Sequence, residues 1–118
     1  MQNDLGFYSI IEYDVDTPDV QDLFVELFAE VQEKFVAPYP GYISSTFVAS
    51  IDGKRIYNLV HWASEADFDH FEKVSDAKSR LEAREQVISK LKDKAHFREV
   101  GSPRYRVLKT VTPTKNEE

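Results

Sequence analysis

The dipeptide Asp52-Gly53, set between two alternating stretches, constrains this chain more than any other feature. A two-residue type I′ turn needs φ > 0 at both central positions, which Gly and Asp adopt at low cost, so the run PGYISSTFVASIDGKRIYNLVHW from Pro40 to Trp62 reads as a β-hairpin. Such a turn sets Ile51 opposite Lys54, Ala49 opposite Ile56, Phe47 opposite Asn58, Ser45 opposite Val60 and Ile43 opposite Trp62. Because the pleat has period two, Ile43, Phe47, Ala49, Ile56, Val60 and Trp62 share one face, apolar enough to lie under helices. Asn58 stands alone among them. The opposite face carries Tyr42, Ser44, Thr46, Val48, Arg55, Tyr57, Leu59 and His61, too polar for a core yet too aromatic for a plain solvated surface. A buried amide without partners costs about 1–3 kcal/mol, so Asn58 either ties down a neighbouring backbone group or faces something outside the core.

The flanking segments supply the rest of a domain. Gly6 to Val15 alternates and is rich in aromatic and β-branched residues, a first strand with Phe7, Ile11 and Tyr13 on one side and Tyr8, Ile10 and Glu12 on the other. Asp16-Thr17-Pro18 offers a capping residue followed by proline in the first turn, and a helix is expected to run to about Phe35. Val20, Leu23, Phe24, Leu27, Phe28, Val31 and Phe35 form its apolar stripe. Pro38, Pro40 and Gly41 stop that helix and turn the chain into the hairpin. Ser64 with Asp67 resembles a capping box for a short helix that turns Phe68, Phe71 and Val74 inward. A longer helix is expected from about Asp76 to His96, with Leu81, Ile88, Leu91 and Ala95 inward and Arg80, Glu82, Arg84, Glu85, Lys90, Lys92 and Asp93 forming a charged outer face. Gly101-Ser102-Pro103 leads into a last strand from Arg104 to Val111.

The resulting order, βαββαβ, is that of an α+β ferredoxin-like fold with a four-stranded antiparallel sheet. At 118 residues the chain is expected to be a single domain, with an ordered core of about 6–111 and a polar tail over 112–118 that is expected to be disordered. Helices on one face leave the other face of the sheet bare, and its aromatic content points to a homodimer closed face to face. The absence of cysteine excludes thiolate nucleophiles, disulfides and cysteine-ligated metal sites. A net charge of −6 with scattered Lys and Arg argues against nucleic acid as a partner. The amino terminus lacks a signal-peptide pattern and no apolar run is long enough to span a membrane, so the expected location is the cytoplasm. His61, His70 and His96 lack metal-ligand spacing, so no metal is expected.

Pro40-Gly41-Tyr42, Ser50, Asp52-Gly53, Asn58, Trp62 and Ser64, together with the Gly6-Phe7 strand and the Arg104-Tyr105 ending, resemble the antibiotic biosynthesis monooxygenase (ABM) domain family. The resemblance implies a dimeric α+β barrel with a pocket between sheet and helices, lined in oxygenase members by an Asn and a Trp of this strand. It also implies O2-dependent oxidation of a hydrophobic quinol or polyketide-type aromatic with no metal, flavin or haem. Asn58 and Trp62 are then the catalytic candidates, with Phe24, Phe28, Phe47, Phe68, His70, Phe71, Arg80 and Arg84 as candidates for binding substrate. Phe68 departs from the pattern, since some oxygenase members place a Tyr there. Two alternatives stand beside this expectation: a non-catalytic dimer of the same fold that binds a small molecule, and, least favoured, a haem-degrading monooxygenase, for which the first strand lacks an Asn.

Overall fold

Gly53 closes the hairpin at φ +82°, but Asp52 keeps a negative φ, so the turn is not type I′. Asp52 instead accepts hydrogen bonds through Oδ1 from the Ser50 hydroxyl (2.7 Å) and the Lys54 N–H (3.0 Å), while the Gly53 N–H donates to the Ser50 carbonyl (3.0 Å). Such side-chain bonds favour a wider loop over the two-residue turn. Ile51 consequently points into solvent instead of pairing with Lys54. The computed structural model describes residues 6–98 and 101–114, so part of the expected polar tail, 115–118, lies outside the described residues.

The elements are β1 (Phe7–Val15), α1 (Pro18–Phe35), β2 (Tyr42–Ala49), β3 (Arg55–Trp62), α2 (Glu65–Val74), α3 (Ala77–Lys90), β4 (Ala95–Arg98) and β5 (Arg104–Arg106). The sheet is antiparallel with the order β2-β3-β1-β4, and β5 also pairs with β1. This is the expected α+β ferredoxin-like arrangement, with its fourth position divided between two short strands. β4 pairs with β1 from Glu12 to Val15 and β5 from Phe7 to Ser9. The break between them stands opposite Ile10 and Ile11. The expected strand through Val111 ends at Arg106, although the Val107 N–H still donates to the Gly6 carbonyl at 3.1 Å.

The hairpin register holds at Ala49↔Ile56, Phe47↔Asn58 and Ser45↔Val60 and then slips at a bulge between Tyr42 and Ser44. Tyr42, not Ile43, faces Trp62, and Ile43 turns outward with 54% of its surface exposed. One extra residue in β2 swaps the two side chains between faces. Along β3 the alternation is unbroken, with Ile56, Asn58, Val60 and Trp62 buried and Tyr57, Leu59 and His61 half-buried on the other side. β1 adds Phe7 opposite Trp62, Ile11 opposite Asn58 and Tyr13 opposite Ile56 to the helix-covered face.

Each helix begins at a side-chain cap: Thr17 accepts from Val20 N–H, Ser64 from Asp67 N–H and Asp76 from Ser79 N–H. Each cap satisfies an amide that would otherwise lack an intrahelical partner, a contribution of about 1 kcal/mol. α1 buries Val20, Phe24, Phe28 and Val31 as its stripe requires, but Leu23 is half-exposed and Gln21 is buried in its stead. The Gln21 amide donates to the carbonyls of Ser50 and Arg55 (3.1 and 3.0 Å), pinning the helix to the hairpin turn. On α2, Phe68 and Phe71 are buried and Val74 is exposed.

α3 departs most from expectation. It stops at Lys90, and His96 lies on β4, because Lys92 and Asp93 adopt left-handed backbone (φ 54° and 62°) and reverse the chain. Its inward residues are Arg80, Ala83, Arg84, Val87 and, as expected, Ile88, while Leu81 faces solvent. The inward stripe thus begins at Arg80 and not at Leu81. Among the described residues no helix is long and apolar enough to cross a membrane.

Candidate active site

The helix-covered face holds two clusters of buried apolar residues, with Phe35 packed against both. One joins Tyr13, Phe24, Phe28 and Ile56 to Val87 and Leu91; the other joins Phe7 and Trp62 to Phe68 and Phe71. Between them lies a cavity of about 300 Å³, lined by members of both clusters and by Asn58, Arg80 and Arg84. Gly101 and Pro103, from the break between β4 and β5, also border it. Filling this space with apolar side chains would stabilise the fold by about 0.8 kcal/mol per buried methylene, so an open cavity of this size calls for an occupant.

Asn58 and Trp62 are 3% and 0% exposed, and Asn58 Oδ1 and Trp62 Nε1 are buried without a hydrogen-bond partner. Asn58 therefore does not use its carbonyl to tie down a neighbouring backbone group. Leaving one acceptor and one donor unsatisfied costs about 1–3 kcal/mol each, recovered when a ligand or a water supplies the complementary groups. The indole is held by edge contacts to Tyr42 and Phe68 (5.7 Å each) and a tilted contact to Phe71 (5.2 Å).

Both arginines reach the cavity. Arg80 lies over the Phe71 ring (4.6 Å) and donates to Ser75 Oγ (2.6 Å). Arg84 lies 5.5 Å from the Phe97 ring centroid and donates from Nη2 to the Tyr13 hydroxyl (3.3 Å). Burial, and then the like charge of Arg84, push the Arg80 pKa below its ordinary value. Burial pushes the Tyr13 phenol upward, partly offset by Arg84.

Of the remaining candidates, Phe28, Phe68 and Phe71 border the cavity. Phe24 is fully buried against Tyr13 and Phe28, and Phe47 packs on the same core cluster; neither borders the cavity. His70 is exposed on α2 and does not line it either, since the inward positions of that helix are taken by Phe68 and Phe71. His61 stacks on Tyr8 across the opposite face (4.5 Å), and His96 is exposed. None of the three histidines is placed to ligate a haem in this cavity, which disfavours the haem-degrading alternative. Tyr13 and Ser9 were not among the candidates, although β1 alternation together with the register to β3 puts both on the Asn58 face. Glu72 borders the cavity but is engaged at 2.8 Å by Arg104, which also binds Glu65 and Asp69 and lies over Phe68.

An α+β ferredoxin-like domain thus holds a cavity between sheet and helices, bordered by Asn58 and Trp62, each with one buried unpartnered polar atom, and by Arg80, Arg84 and Arg98. The chain belongs to the antibiotic biosynthesis monooxygenase family, whose model matches residues 7–86. It is 37% identical over 51 residues to the tetracenomycin-F1 monooxygenase of Streptomyces glaucescens, a match spanning 43% of this chain and 46% of that protein. The fold is similar to that of the ActVA-Orf6 monooxygenase of Streptomyces coelicolor, solved in complex with nanaomycin D (26% identity, TM-score 0.69, 93% of this chain and 94% of that one). It is also similar to SnoaB, a cofactor-independent oxygenase from Streptomyces nogalater (16% identity, TM-score 0.63, 94% and 100% covered), a likeness that bears on the fold alone.

Proposed function

We propose that this protein is a cofactor-independent monooxygenase that oxidises a quinol or polyketide-type aromatic with O2, acting as a homodimer in the cytoplasm. The observation that carries this reading is the pair of partnerless atoms, Asn58 Oδ1 and Trp62 Nε1, on residues that border a cavity with a mixed lining of aromatic, aliphatic and charged side chains. Family membership and the likeness to two monooxygenases support the reaction class.

An ionised electron-rich phenol passes one electron to O2, and the resulting pair combines at a ring carbon to give a hydroperoxide. Loss of water then leaves a carbonyl. For an anthrone-type CH2 the balance is one oxygen atom into the new C=O and the other, with both hydrogens, into water. All four electrons come from the substrate, so this reaction requires no metal, flavin or haem. The chain's own groups bind, orient and stabilise charge. Asn58 Oδ1 accepts a hydrogen bond from a substrate or hydroperoxide O–H, Trp62 Nε1 donates to an oxygen, and the positive potential of Arg80 and Arg84 favours the ionised phenol.

The dimer forms through the sheet face away from the helices, where Val48 is 41% exposed beside half-buried Tyr57 and Leu59. Sedimentation velocity at micromolar concentration should give a dimer that Leu59→Arg converts to monomer; a monomeric wild type contradicts this. Phe68, which lacks the hydroxyl of some oxygenase members, favours the second reading, a protein that binds the same ligand without turning it over. Oxygen uptake separates the two. Chelator-treated protein should accelerate O2 consumption by dihydroxynaphthalene or anthrone above the uncatalysed rate, and no acceleration across such a panel sinks the oxygenase reading.

A further inference from the structure

Loss of water from a hydroperoxide needs a proton for the departing oxygen, and few side chains at the cavity can give one. Glu12 and Glu72 border it as ion pairs, the first with Arg98 (3.5 Å) and the second with Arg104 (2.8 Å), and a paired carboxylate has no proton to give. The N–H groups of Gln32, Asn58 and Trp62 are too weakly acidic. Two hydroxyls remain on the cavity wall, those of Ser9 and Tyr13. Of these the phenol is by far the stronger acid.

Tyr13 is 2% exposed, and its ring is fixed by Phe24, Phe28 and Phe97, with centroids 4.6, 5.4 and 5.8 Å away. A phenol oxygen both accepts and donates hydrogen bonds. Arg84 takes the accepting side at 3.3 Å, and among the described residues the hydroxyl has no acceptor for its own proton, which is left for an occupant of the cavity. Burial holds that proton on the oxygen at rest, while the Arg84 cation acts in the opposite direction and eases its release. In the sheet register Ile11 stands opposite Asn58 and Tyr13 opposite Ile56, so Tyr13 and Asn58 are diagonal neighbours on the helix-covered face. Backbone positions so related lie about 7–8 Å apart, close enough for both side chains to reach one hydroperoxide group.

We propose that Tyr13 is the general acid that releases water from the substrate hydroperoxide, with Arg84 stabilising its transient phenolate. Asn58 Oδ1 accepts from the terminal O–H, and the Tyr13 O–H donates to the same oxygen. The O–O bond breaks with its electron pair on that oxygen, which takes the Tyr13 proton and leaves as water. At the ring carbon the C–H pair becomes the second bond of the carbonyl, and the proton so released restores the phenol. The O2 already incorporated is the only oxidant. The assignment rests on the oxygenase reading for the presence of a hydroperoxide, but the loss of water consumes no O2 and can be tested apart from uptake.

Anthrone hydroperoxide, prepared chemically, is mixed with purified protein under argon, and formation of anthraquinone is followed by absorbance. Wild type should accelerate the reaction over buffer. Tyr13→Phe keeps the ring and its three aromatic contacts, and should lose roughly 10²-fold in kcat with KM little changed. With anthrone in air, the same variant should still consume O2 while hydroperoxide accumulates, detected by oxidation of iodide. No acceleration by wild type under argon, equal rates in wild type and folded Tyr13→Phe, or a loss that appears in Ser9→Ala instead overturns the assignment. Should Tyr13→Phe not fold, Arg84→Gln keeps the phenol without the cation, and an undiminished rate there overturns it as well. Failure under argon leaves O2 uptake untouched, whereas a wild type that dehydrates the hydroperoxide yet takes up no O2 sinks the oxygenase reading alone.

Discussion

Arg84 and Tyr13, one on α3 and the other on β1, meet at 3.3 Å through a hydrogen bond from Nη2 to the phenol oxygen. This contact joins the third helix to the sheet beside the cavity. It also faces Arg84 with a group that burial keeps neutral beyond the ordinary tyrosine value of 10.0.

A folded pKa above the unfolded one contributes stability that is complete below about pH 10 and is lost as pH rises through the folded value. Wild-type Tm should therefore fall above pH 10 more steeply than that of Tyr13→Phe. At neutral pH the same substitution should cost about 1 kcal/mol for the lost hydrogen bond. Parallel Tm curves in the alkaline range would show that Tyr13 is not the group responsible.

Gly41 stands at φ +86°, and a Cβ there would run into the Asp67 side chain, which itself closes the Ser64 cap of α2. Gly41→Ala should destabilise the fold by about 1–3 kcal/mol from backbone strain alone. Gly101, with φ +95° but open space around it, isolates the strain from the clash: Gly101→Ala should cost less. Equal losses in chemical denaturation would mean that the packing of Gly41 on α2 contributes nothing.

The reversal after α3 uses two non-glycine residues in left-handed backbone, Lys92 and Asp93. Lysine is the less suited of the two. Lys92→Gly should raise stability by about 0.5–1 kcal/mol, the relief of strain exceeding the added freedom of the unfolded chain. A loss of stability would show that Lys92 makes a compensating interaction.

What the sequence revealed and what it hid divide along physical lines. Thr17-Pro18 and Ser64 with Asp67 announce helix starts through contacts within one turn, and the alternation from Ile56 to Trp62 announces a half-buried strand. The placement of Asn58 and Trp62 on one face followed from that period. The end of α3 was hidden because neither Gly nor Pro marks it, and Leu91 and Ala95 happen to continue a helical spacing into the turn and β4. Its inward face was hidden because arginines stand where a hydrophobic stripe would begin; only the cavity explains them. The bulge that exchanges Tyr42 for Ile43 and the split of the edge strand depend on pairing partners distant in sequence.

Asn58, on the cavity wall, keeps its carbonyl oxygen buried with nothing to accept from. Steady-state O2 uptake with a dihydroxynaphthalene or anthrone substrate, measured side by side for wild type and Asn58→Ala, tests its role most directly. In Asn58→Ala kcat should fall roughly 10- to 10³-fold, the range for removing one preorganised polar group, with KM changed less and Tm not lowered. A folded Asn58→Ala protein that consumes O2 at the wild-type rate would contradict that role.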